Sequence, residues 1–100
     1  MLKIIEGFIK KIPRGYYFDT HTVIDYLIQE YHGIYLKEYH EISKNDNYTV
    51  NLYHGHIGQL IQQNFTDILV TNNILVKQVG DSWSKNVKNN FSQNTCWQKL

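Results

Sequence analysis

Residues 67–100 read DILVTNNILVKQVGDSWSKNVKNNFSQNTCWQKL, and this stretch decides the fold class. Residues 68–70 and 74–79 are apolar, β-branched runs separated by Thr71, Asn72 and Asn73, and Gly80 with Asp81 marks another turn. Trp83 and Trp97 bracket a polar stretch, residues 84–95, that holds Asn86, Asn89, Asn90 and Asn94. The expected form is a strand near 74–79, a long polar tip and a closing strand near 94–99, together an antiparallel hairpin.

Upstream of this segment the apolar spacing is helical. Ile4, Ile5, Phe8, Ile9 and Ile12 fall on one side of a short helix that Pro13 stops, with Arg14 and Gly15 in the turn. Asp19 or Thr20 then caps a second helix, whose face of Val23, Ile24, Leu27, Ile28 and Tyr31 ends at Gly33. Residues 34–42 fit either a strand or a helical turn, because Tyr35, Tyr39 and Ile42 recur helically while their residue types favour sheets. Residues 43–47 are turn formers and read as a loop.

The second main helix spans residues 50–64. Tyr53, Ile57, Leu60 and Ile61 lie on one side, and Asn51, His54, Gln59, Gln62 and Gln63 lie away from it. Gly55 and Gly58 each weaken it by about 1 kcal/mol relative to Ala, which points to something packing closely there. The fold class is therefore α+β, with two main helices packed on a C-terminal antiparallel β-hairpin in one compact domain.

A helical core followed by a polar hairpin resembles the element order of winged-helix domains. The resemblance covers residues 19–97 and rests on order alone. It implies nucleic acid as the partner. The pattern has a full middle helix where residues 34–47 read as short and irregular.

Composition narrows the function classes. One hundred residues suffice for a single core, and 42% hydrophobic content with fourteen aromatics argues against disorder. The single Cys96 cannot form an internal disulfide, so a reducing compartment, the cytoplasm, is expected. Residues 1–13 are interrupted by Lys3, Glu6, Lys10 and Lys11, which reads as a tucked-in helix and not as a signal, an anchor or a membrane-surface segment.

No catalytic or metal motif stands out. His54 and His56 lie about 200° apart on a helix and cannot grip one ion together. Asp19 beside His21 reads as a capping carboxylate more readily than as an acid and base pair, and Cys96 reads as an inert thiol. Glycine-rich phosphate loops and serine elbows are missing, so a non-catalytic protein without cofactor or metal is expected.

Net charge is +1, yet residues 51–100 carry four basic and two acidic groups. Nucleic-acid binding, to duplex DNA, is the expected function. Asn51, Gln59, Gln62 and Gln63 can read base edges, His54 and His56 can contact bases or phosphates, and Lys77, Lys85 and Lys88 can hold phosphates. The alternative is an adaptor or a mobile-element inhibitor that blocks a host nucleic-acid-cutting complex. Eight tyrosines, among them Tyr16, Tyr17, Tyr35, Tyr39 and Tyr48, suit a protein interface and self-pairing into a homodimer.

Overall fold

The computed structural model describes residues 1–42, 50–67 and 74–100, and, of residues 42 and 50–52, the backbone alone. The polar loop at 43–47, Tyr48, the apolar run at 68–70 and the turn at 71–73 lie outside the described residues, as does the side chain of Asn51. Among those described, the chain forms four helices and one three-stranded antiparallel sheet, an α+β domain. The two-helix expectation is too low.

Helix α1, Leu2–Lys11, buries Ile5 and Ile9 in the core and ends where Pro13 holds Ile12 in an extended conformation. A turn with Gly15 at φ 88° leads into strand β1, Tyr17–Asp19. Sequence pattern does not announce this strand. Its three residues carry no usable periodicity and become a strand because strand β3, Phe91–Lys99, supplies the hydrogen-bond partners, with Phe18 opposite Trp97.

Asp19 caps helix α2, Thr20–Glu30, by accepting from the Thr22 amide at 2.8 Å. Val23, Ile24 and Leu27 are buried, and the helix stops at Tyr31 rather than at Gly33. Gly33 lies in the first turn of helix α3, His32–Ile42, so the segment of undecided type is a full helix. Tyr35 and Tyr39 are drawn inward against Tyr53, with ring centroids 5.3 and 5.5 Å apart. These two tyrosines serve the core. They are therefore not part of the exposed tyrosine surface that an interface would use.

Helix α4, Val50–Phe65, buries Tyr53, Ile57, Ile61 and Phe65, one residue per turn, while Leu60 is partly covered. Strand β2, Val76–Lys85, then pairs with β3, which sits centrally in the order β1-β3-β2. Gly80 is not a turn but part of a β-bulge: the register skips between Gln78 and Gly80, and Gly80 adopts φ 134°, a conformation suited to glycine. The strand therefore runs on through Ser82, Trp83 and Ser84.

The hairpin tip is correspondingly short, residues 86–90, instead of 84–95. Asn86 organises it, because its Oδ1 accepts from the Lys88 and Asn90 amides at 2.9 and 3.2 Å. Asn89 takes the left-handed conformation that asparagine tolerates. The alternation S-W-S-K against F-S-Q-N is the period-2 signal that places these residues in strands.

Candidate functional site

Alternation along the paired strands gives the hairpin two distinct faces. Ser82 and Ser84 stand opposite Asn94 and Ser92, whereas Trp83 and Lys85 stand opposite Gln93 and Phe91. The polar face meets the start of α2. Ser84 Oγ and Ser82 Oγ donate to Asp19 Oδ2 at 2.8 and 3.0 Å, and the Asn94 side-chain oxygen accepts from the His21 amide at 2.9 Å.

His21 completes this network. Ser84 already donates its proton to Asp19, so its oxygen accepts from His21 Nδ1 at 2.9 Å, and His21 Nε2 is left to accept from Ser92 Oγ at 3.3 Å. Burial pushes the Asp19 carboxyl up, but the Thr22, Ser84 and Ser82 hydrogen bonds outweigh it and hold the group below the ordinary carboxylate range. A charged carboxylate thus anchors a chain of hydroxyls and one imidazole. Asp19 and His21 meet through Ser84 and, less directly, through Ser82 and Asn94, and Asn86 also donates to Ser92 at 3.3 Å, so the network suits docking of the hairpin.

A groove of about 470 Å³ opens between the hairpin and α4, bordered by His21, Ser92 and Asn94 of this network as well as by residues of the other hairpin face. Its walls are α4, with Gly55, Gly58, Gln59 and Gln62, and strand β3, with Gln93 and Thr95. Trp97 and Ile24 contribute apolar surface, and the Trp97 indole donates to Thr20 Oγ1 at 3.3 Å. The two glycines behave differently from the close-packing expectation. A Cβ on Gly58 would lie 3.7 Å from the Thr20 side chain, in ordinary contact, and a Cβ on Gly55 would meet nothing within 4 Å. Gly55 leaves the groove wide.

The residues expected to bind are only partly brought together. Gln59, Gln62 and Gln63 are exposed on α4, the first two lining the groove. Lys85 and Lys88 are exposed at the hairpin end. Lys77 pairs with Gln98 and shares a face with Tyr17, on the side of the sheet opposite Phe18 and Trp97, so it is separated from α4.

His54 does not stand clear of the fold as the helical spacing suggested. Its Nε2 is hydrogen-bonded to the Tyr35 hydroxyl at 2.6 Å, and burial, with smaller electrostatic effects from His21 and Lys88, lowers its pKa to about 4. It offers the groove a neutral ring instead of a phosphate-binding cation. Cys96 is held as a protonated thiol, since burial and the Asp19 charge both raise its pKa.

Sequence reasoning missed the Asp19, His21, Ser84, Ser92 and Asn94 network and the exposed aromatics of the hairpin. The strand alternation noted above was the available signal. Among the described residues, no group of three His, Cys, Asp or Glu could hold a metal ion, and no helix is long and apolar enough to cross a membrane. No protein-family model, curated protein or solved structure matches the chain.

Proposed function

We propose that this protein is a non-catalytic nucleic-acid binder that uses α4 and the β2–β3 hairpin as one surface. The observation that carries this reading is the placement of exposed Gln59 and Gln62 on one wall of a groove whose other wall is the hairpin bearing Lys85 and Lys88. Glutamine side chains can pair with adenine edges, and lysines neutralise phosphates. The order α1-β1-α2-α3-α4-β2-β3 with the sheet β1-β3-β2 supports a winged-helix-like arrangement, with α4 as the helix laid into the major groove.

The test is salt dependence. Binding to mixed-sequence DNA should weaken steeply as salt rises, and changing Lys85 and Lys88 together to Ala should lower the log-log slope by about two. Absence of binding at low salt removes the proposal.

A second reading, a protein-binding inhibitor or adaptor, has its own support. Helix α4 carries no Lys, Arg, Asp or Glu, and Tyr16 and Tyr17 are strongly exposed at the start of β1. Tyrosine-rich, weakly charged surface is characteristic of protein interfaces. Recovery of a stoichiometric protein complex, with no DNA retention at low salt, would favour this reading over the first.

A further inference from the structure

We infer that the hairpin face bearing Trp83 and Phe91 is a stacking platform for unpaired bases, so that the preferred ligand is nucleic acid with a single-stranded segment. The inference rests on the nucleic-acid reading and deepens it.

Trp83 is 69% exposed and Phe91 54%, and neither belongs to the buried core. Because Trp83 faces Gln93 and Lys85 faces Phe91 across the ladder, the two rings are diagonal neighbours on one face. Along β3 the same face continues through Gln93 and Thr95 to Trp97, all three of which line the groove, so the platform adjoins the groove at Gln93. The hairpin does not need these rings to stay folded against the domain. Its opposite face does that, through the serines and Asn94 held by Asp19 and His21.

Charge selects the occupant. After Asp81 the chain has no acidic residue and three lysines, Lys85, Lys88 and Lys99. Asp81 itself is engaged by Gln93 Nε2 at 2.6 Å, and the Lys85 ammonium lies 5.7 Å from the Phe91 ring centroid. Lys99 is held at the far end of β3 by the Lys10 carbonyl, so the cations beside the rings are Lys85 and Lys88, and rings with such neighbours match a strand whose bases stack and whose phosphates need neutralising. A paired duplex hides its base faces, so the rings would have nothing to stack upon.

The experiment titrates the full chain, at low salt, with an oligothymidylate, a blunt duplex and the same duplex carrying a single-stranded tail, following tryptophan fluorescence. Trp97 lines the groove but is only 2% exposed, and the Trp83→Phe variant, in which Trp97 is the one remaining tryptophan, shows how much of the quenching by the oligothymidylate comes from Trp83. The expected result is quenching by the single strand and about tenfold tighter binding of the tailed duplex than of the blunt one. Trp83→Ala erases that preference, whereas Trp83→Phe, which keeps a stacking ring, retains most of it.

Equal affinity for blunt and tailed duplexes, or a Trp83→Ala variant that keeps the preference, overturns the platform while leaving nucleic-acid binding standing. No binding to any of the three overturns both. A concentration-dependent dimer that Trp83→Ala dissociates, without quenching by DNA, overturns the platform and identifies a second copy as the occupant.

Discussion

Asp19 accepts a hydrogen bond from Ser84 Oγ at 2.8 Å across 65 positions of the chain, while its other oxygen caps α2 through Thr22. One buried carboxylate therefore serves both as helix cap and as anchor of the hairpin. Replacing Asp19 with Ala removes the cap and the charged acceptor for Ser82 and Ser84, at an expected cost of about 2–3 kcal/mol. Asp19→Asn keeps a capping oxygen and should lose less. Urea midpoints of the two variants decide this, and equal losses would contradict the dual role.

Burial of His54 makes stability depend on pH in a defined window. The folded-state pKa of His54 is lowered from 6.5 to about 4, so the unfolded chain takes up its proton first. The stabilisation is fully present above about pH 6.5 and is lost as pH falls toward 4. His54→Gln leaves the Tyr35 hydroxyl an acceptor that does not titrate, so its melting temperature should vary less across this window. Asp19, whose pKa is also lowered, acts below it: its contribution is present above the unfolded value of 3.8 and declines as pH falls through the folded pKa.

Gly55 separates stability from binding. A Cβ there meets no atom, so Gly55→Ala should stabilise α4 by up to about 1 kcal/mol. The added methyl also narrows the groove wall, so DNA affinity should fall as the melting temperature rises. Calorimetry and fluorescence anisotropy on the same preparation check both signs.

Gly80 is expected to behave in the opposite way. Its φ of 134° at the bulge is strained for any residue with a Cβ, so Gly80→Ala should destabilise by about 1 kcal/mol or more. An unchanged urea midpoint would show that the bulge relaxes without cost.

The sequence by itself determined the pieces whose signals are local. The apolar faces of α1, α2 and α4, the Pro13 stop and the Asp19 cap are legible because neighbouring residues alone satisfy or deny each helix its hydrogen bonds. The α+β class followed from the change of period after residue 67. Tertiary structure decided the rest, because it depends on partners distant in the chain. Tyr17–Asp19 is a strand only beside β3, and the pKa of His54 is lowered only because the fold buries it. The two tryptophans show the same limit. Trp97 lies buried where β3 crosses the helices and Trp83 stands in solvent beyond them, a difference set by how far the hairpin outreaches the core.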